Sequence, residues 1–113
     1  MTKAMGGRPD PNAVQEAIRR IVGAAHPVRI ILFGSAARGE MRDDSDLDML
    51  VVCKPPLDRV EMTSRIYEGL LGVEFPVDVL VVTEESLAKT RDNPGFIYGT
   101  ALEEGREIYL AGA

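Results

Sequence analysis

Three short apolar runs constrain this chain to a fold that is built on a sheet. They span residues 28–33, 47–53 and 77–82, and the first of them is rich in β-branched side chains, which favour strands. None of them approaches the roughly 18 apolar residues that a membrane-spanning helix needs. Each run is therefore predicted to be a buried strand.

The segments between these runs have the periodicity of amphipathic helices. Over residues 11–25 the apolar side chains recur at spacings of one, three and four, and Asp10 followed by Pro11 is a typical helix start. Helices that alternate with strands indicate an α/β fold, although the pattern does not reveal the strand order. Further helices are predicted over residues 57–71, over 36–38 with Ser35 as the cap and Gly39 as the end, over 84–89 with Thr83 as the cap, and over 96–104, and a last strand over 107–110.

Length and composition bound the class of protein. The 113 residues suit a single domain at 10–113 that follows a short disordered tail at 1–9. Cys53 is the one cysteine, which excludes an internal disulfide, and its apolar surroundings predict a buried, unreactive thiol. Because the first residues lack the apolar segment of a signal peptide, the cytoplasm is the default expectation, with no membrane partner.

The charge balance disfavours nucleic acid as the main partner. Eighteen acidic and thirteen basic residues give a net charge of −5, whereas proteins that bind a polyanion through counterion release need a basic surface. A small basic patch for a phosphate group or a protein surface stays open, because four arginines are grouped at Arg38, Arg42, Arg59 and Arg65.

Three aspartates in the predicted strands are candidate metal ligands. Asp46 and Asp48 are two residues apart where the second strand starts, so both carboxylates are expected to project from one face. Asp78 is the one acid in the third apolar run, where a buried carboxylate is costly unless it is paired or bound to metal. If the two strands are neighbours, the three acids converge, and Mg²⁺ is the cation that suits such oxygen ligands.

A glycine turn at the end of the first strand is a candidate phosphate site. Gly34 lets backbone N–H groups approach a phosphate, and the Ser35 hydroxyl can donate a further hydrogen bond. Taken alone, a Gly-Ser pair is usually only a turn, and an Asp-x-Asp is usually a solvated strand face. Their order on the predicted elements is what makes the combined pattern specific.

These residues resemble the signature of a known superfamily. In order, Gly34-Ser35-Ala36-Ala37-Arg38-Gly39, then Ser45-Asp46-Leu47-Asp48, then Asp78, are similar to the pattern of the DNA polymerase beta-like nucleotidyltransferases. They resemble most the minimal nucleotidyltransferases (MNT), the antitoxin type that is paired with HEPN proteins. The resemblance covers about residues 28–82, and residues 97–109 are similar to the closing helix and strand of that family.

The resemblance implies a fold and a set of roles. The fold is the nucleotidyltransferase fold, a small mixed β-sheet packed with helices. Metal ligation falls to Asp46, Asp48 and Asp78, with two Mg²⁺ ions, and binding of the ATP triphosphate falls to Gly34 and Ser35. Asp78 would also draw the proton from the attacking hydroxyl.

Two functional hypotheses follow. The first is an enzyme that transfers AMP from ATP to a protein hydroxyl and acts as the antitoxin of a HEPN partner. The second is a non-catalytic antitoxin that masks its partner by binding. Three mutually repelling acids favour the first hypothesis, because masking gives no reason to keep them together.

Several side chains near this pattern keep open or structural roles. Arg38 either contacts phosphate or forms an ion pair with Asp44 or Asp46 that holds the loop. His26 is expected to cap a helix or lie at the surface. Core or interface packing is expected for the three tyrosines, Tyr67, Tyr98 and Tyr109.

Overall fold

A four-stranded mixed sheet forms the centre of the protein. The structure is a computed structural model that describes residues 7–42, 45–91 and 104–112, without the side chains of residues 90 and 91. The strand order across the sheet is β3-β2-β1-β4. The strands are β1 (Arg29–Phe33), β2 (Leu47–Val52), β3 (Val77–Val82) and β4 (Arg106–Leu110).

In the described part of the chain four helices accompany these strands, and most lie where the sequence predicts them. They are α1 (Pro11–Ala25), α2 (Gly34–Arg38), α3 (Arg59–Gly69) and α4 (Glu84–Arg91). The predicted helix over 96–104 falls almost entirely outside the described residues, as do residues 1–6 of the predicted tail. The carbonyl of Gly7 accepts a hydrogen bond of 2.9 Å from the Met41 N–H, so the described end of that segment contacts the domain.

Strand direction decides which strand ends meet. β1 is antiparallel to both β2 and β4, whereas β2 is parallel to β3 and is connected to it through α3. A helical crossover of this kind is what a parallel pair requires. The last residue of β1 therefore lies beside the first residues of β2, and those lie beside the first residues of β3.

The two faces of the sheet bury different amounts of apolar surface. The larger core lies on the face covered by α1 and α3, where Ile21, Ile30, Met49 and Ile66 are completely buried. A smaller cluster around Leu87 of α4 covers the other face. Because strand side chains alternate, Asp48 falls on the side of the smaller cluster.

The helix ends follow local chemistry, with one exception. The Asp10 side chain accepts from the Asn12 N–H at the start of α1, and Thr83 accepts from the Ser86 N–H at the start of α4. His26 ends α1 in the left-handed conformation, which confirms the predicted cap. The prediction that Ser35 caps α2 is wrong, because α2 already begins at Gly34 and Phe33 occupies the cap position without a side-chain bond.

Helices α1 and α3 are held in close contact at Gly69. A Cβ atom at Gly69 would lie 3.2 Å from Ala24 Cβ, so a larger residue would separate the two helices. Arg20 of α1 donates to the carbonyl oxygens of Gly69 at 3.1 Å and Leu71 at 2.8 Å. These bonds give a partner to the Gly69 carbonyl at the end of α3 and to the Leu71 carbonyl just beyond the helix cap. Within the described residues no helix combines the length and the apolar character needed to cross a membrane.

We predict that Arg20→Met lowers the free energy of unfolding by about 1–2 kcal/mol, because two charge-assisted hydrogen bonds to the end of α3 are lost. Arg19→Met is the matched control, since Arg19 contacts the same Glu16 carboxylate but is 72% exposed, against 34% for Arg20. Urea unfolding of both variants measures the difference. Equal effects of the two substitutions would contradict this role of Arg20.

Candidate functional site

The start of β2 places one carboxylate between two neighbouring strands. Asp48 is paired with Phe33 of β1 on one side and with Asp78 of β3 on the other. Neighbouring strands lie about 4.8 Å apart, and residues paired in register point to the same face. The structure therefore brings Asp48 and Asp78 side by side.

The predicted alternation of side chains at this strand end agrees with the structure. Leu47 and Met49 are buried in the larger core, so the side chain of Asp48 points to the opposite face. Asp46 immediately precedes β2 and is exposed. It lies close enough to Asp48 to contribute to the electrostatics described below.

The burial of these acids differs from the sequence prediction. The apolar run predicts a buried strand around Asp78, but β3 is at the edge of the sheet and Asp78 is exposed. Asp48 is the half-buried carboxylate, because β2 has a strand on both sides. The apolar run therefore predicted the position of the strand correctly, but it did not predict that residues at the start of the strand are accessible to solvent.

Gly34 lies directly against the Asp48 carboxylate. Its φ is +69°, and a Cβ atom built on it would lie 2.3 Å from Asp48 Oδ2. Any side chain at this position would therefore displace that carboxylate, in addition to straining the backbone. The candidate phosphate turn and the candidate metal ligand are consequently in contact.

The environment of Asp48 opposes its ionisation. Burial raises the pKa of the Asp48 carboxyl group above its usual range, and the negative charges of Asp78 and Asp46 raise it further. Arg38 acts in the opposite direction and is the weakest of the four causes. A cation bound here would remove this repulsion, which is the electrostatic property expected of a metal-binding acid.

Arg38 is engaged by acids other than those predicted. Its guanidinium donates to Glu40 at 2.5 Å and to Glu104 at 3.1 Å, and these two bonds raise its pKa. The predicted ion pair with Asp46 is not the one observed, and Asp44 lies outside the described residues. Contact of Arg38 with phosphate stays a prediction.

Tyr67 is a site residue that the sequence reasoning missed. Its hydroxyl oxygen accepts from the Val79 N–H at 2.9 Å and lies 3.3 Å from Asp78 Oδ1. Burial raises the pKa of the Tyr67 hydroxyl, which favours its protonated form. The protonated hydroxyl can donate a hydrogen bond to Asp78 Oδ1. The one available signal was its position in α3, where it directly follows the buried Ile66 and so lies beside the apolar stripe.

The acids fit a hard divalent cation by their chemistry. Among residues 7–42, 45–91 and 104–112, no three potential ligands already enclose a metal position. Mg²⁺ does not require such a cage, because it commonly uses one or two carboxylates and completes its octahedron with water and substrate phosphates. Asp48 and Asp78, adjacent and accompanied by Asp46, suit that mode of binding.

Comparison with known proteins places the chain in a family. Residues 13–110 match the family described as "Nucleotidyltransferase domain". The chain belongs to this nucleotidyltransferase family. Its members transfer nucleotidyl groups, and the mixed sheet packed with helices is therefore the nucleotidyltransferase fold that the sequence resemblance implied.

Individual relatives agree with this assignment. A protein of Methanocaldococcus jannaschii named "Putative protein adenylyltransferase" is 37% identical over 82 residues, which cover 72% of this chain and 77% of that protein. A solved structure from Sulfolobus solfataricus, described as a "putative nucleotidyltransferase", has a TM-score of 0.60 at 20% identity and covers 88% of this chain and 79% of its own. It shows the shared fold.

A further solved structure, described as a toxin-antitoxin with AMP-PNP, is similar at a TM-score of 0.49 and 21% identity. The match covers 89% of this chain and 73% of that chain.

We predict that Mg²⁺ with ATP raises the melting temperature of the wild type and that Gly34→Ala abolishes this rise. The new methyl group would displace the Asp48 carboxylate, and a ligand stabilises only a native state that can bind it. Gly39→Ala is the matched control, because Gly39 has a φ of +71° but no atom within 4 Å of a built Cβ. Both variants lose about 1–2 kcal/mol to backbone strain. A full ligand-induced shift in Gly34→Ala would contradict the contact with Asp48.

A second prediction concerns the pH dependence of stability without metal. The pKa of Asp48 is raised in the folded protein, so protonated Asp48 favours the folded state. This contribution to the free energy of unfolding is complete below the unfolded-state pKa of a carboxyl group and is lost as the pH rises through the folded-state pKa. Asp48→Asn is therefore expected to be more stable than the wild type at about pH 7, with a smaller difference at about pH 4. Urea unfolding at both pH values measures this. A difference that stays constant or grows towards acid pH would refute it.

Proposed function

We propose that this nucleotidyltransferase transfers AMP from ATP to a hydroxyl group of another protein and releases pyrophosphate. The observation that carries the proposal is the in-register pair Asp48 and Asp78 beside Gly34, which puts candidate metal ligands next to a candidate phosphate turn. The relative named as a protein adenylyltransferase supports AMP as the group transferred and a protein as the acceptor.

Each residue of the candidate site has a separate proposed role in this reaction. Gly34 and Ser35 would bind the triphosphate through backbone N–H groups and the serine hydroxyl, because the start of α2 carries N–H groups without helical partners. Asp46 and Asp48 would hold two Mg²⁺ ions, with Asp78 completing one of the two sites. When bound, Mg²⁺ supplies charge stabilisation for the phosphoryl oxygens and for the departing pyrophosphate.

Asp78 is the residue best placed to receive the acceptor's proton. It lies at the exposed edge of the sheet, where an incoming protein can reach it, whereas Asp48 is half-buried. A carboxylate within hydrogen-bond reach of the attacking hydroxyl can take its proton as the new bond to phosphorus forms. The acceptor oxygen replaces pyrophosphate at the α-phosphorus, so the products are the adenylylated protein and pyrophosphate.

The partner we propose is a HEPN-domain toxin, with this protein as the antitoxin. The support is the resemblance of the sequence to minimal nucleotidyltransferases that are paired with HEPN proteins. A tyrosine hydroxyl of that partner is the proposed acceptor. The net charge of −5 is consistent with a protein acceptor, since a polyanionic tRNA would be repelled.

Incubation with Mg²⁺ and α-labelled ATP tests this function. We expect label on the product of the neighbouring gene and none on total tRNA. Asp48→Asn is expected to reduce labelling by several orders of magnitude, because one of the carboxylates that hold both ions is lost. Label on tRNA alone would refute the protein acceptor. Partner neutralisation without any labelling would favour the masking antitoxin instead.

A further inference from the structure

Two side chains of α3 reach the outer edge of the sheet at β3. Arg59 Nε donates to the Val81 carbonyl at 3.0 Å, and the Tyr67 hydroxyl receives the Val79 N–H at 2.9 Å. Backbone groups on the outer side of an edge strand have no ladder partner. These two contacts therefore provide hydrogen-bond partners for backbone groups of β3 that point away from the rest of the sheet.

The contact with Val79 fixes the direction of the second bond that Tyr67 makes. A backbone N–H can only donate, so the tyrosine oxygen is the acceptor in that bond. The phenol proton then remains available for Asp78 Oδ1 at 3.3 Å. Tyr67 thus links the backbone of β3 to one carboxylate oxygen of Asp78 and leaves the other oxygen available.

Asp78 depends on such a contact more than Asp48 does. Asp48 is half-buried between two strands, with its carboxylate against Gly34. Asp78 is exposed on an edge strand, where an aspartate side chain has more rotational freedom. Freezing that freedom at the moment of ligand binding costs free energy.

We propose that Tyr67 is a positioning residue that orients Asp78 for a divalent cation. The inference rests on the proposed function only in that it needs a cation at Asp78, and it does not depend on the acceptor. Hydrogen bonds from outside the ligand set hold ligating carboxylates in place, and their removal commonly costs about 10- to 100-fold in metal affinity. The bond from Tyr67 is long and the residue is 38% exposed, so we expect an effect at the lower end of this range, about tenfold.

Binding of Mn²⁺, followed by electron paramagnetic resonance of the free ion, tests the proposal without an activity assay. Tyr67→Phe keeps the ring and removes only the hydroxyl, and we expect it to raise the Kd for Mn²⁺ about tenfold. Tyr109→Phe is the matched control, because it removes a hydroxyl from β4 at the opposite edge of the sheet. The control is expected to bind Mn²⁺ as the wild type does.

A double-mutant cycle separates positioning from a purely structural role. If Tyr67 acts through Asp78, then Tyr67→Phe has no further effect on the Kd in an Asp78→Asn background. A structural role in holding the edge of β3 would instead leave Mn²⁺ affinity unchanged, or would weaken it equally in both backgrounds. Either result would overturn the proposal.

The remaining outcomes are also decisive. A wild type that binds no Mn²⁺ would overturn the proposal, because there would be no ligand for Asp78 to receive. Labelling of Tyr67 itself by α-labelled ATP would overturn it too, since the hydroxyl would then be an acceptor. A coupled loss of Mn²⁺ affinity without transfer to any protein would support the positioning role and refute the proposed function.

Discussion

The contact between Gly34 and Asp48 is the constraint on which the candidate site depends. β1 ends at Phe33, and the chain turns at once into α2 through a glycine with positive φ. Antiparallel pairing places Asp48 opposite that turn. Because Gly34 has no side chain, the carboxylate can lie against its backbone, and the candidate phosphate turn and the acid become parts of a single surface.

This arrangement is electrostatically unfavourable in the absence of a ligand. A half-buried acid lies beside Asp78 and near Asp46, and its pKa is raised by burial and by both charges. The protein tolerates this cost because the larger core lies on the other face of the sheet, where α1 and α3 cover it. An unfavourable burial and repulsion of charges is typical of functional sites and is compensated by the rest of the fold.

The outer parts of the site are held by side chains from distant segments. Arg38 bonds to Glu104, two residues before the start of β4, and Tyr67 of α3 reaches Asp78 on β3. Ion pairs as exposed as those of Arg38 contribute little to stability, so their effect is mainly on the orientation of the guanidinium. For Arg38 to contact a phosphate, it would have to exchange one of these carboxylates for the ligand.

Much of the fold was predictable from local sequence. Apolar runs located three strands and the helical period located α1, each to within one residue. Asp10, Thr83 and Gly39 marked helix ends by their side-chain or backbone chemistry. The resemblance of the Gly34 and Asp48 segments to a nucleotidyltransferase signature gave the family, which the match over residues 13–110 confirms. These features depend on neighbours within a few positions in the chain.

Contacts between distant segments decided the rest. The strand order made β3 an edge, so Asp78 is exposed although its run is apolar. Glu104, one of the two partners of Arg38, lies 66 residues away, and Asp78 lies 11 residues from Tyr67. The helices and strands, the family and the candidate acids could be read from the chain, because periodicity and motif are local. Which acid is buried, what holds Asp78 and why residue 34 is glycine became clear from the folded protein, because each depends on the pairing of strands or on the packing of a helix across the sheet.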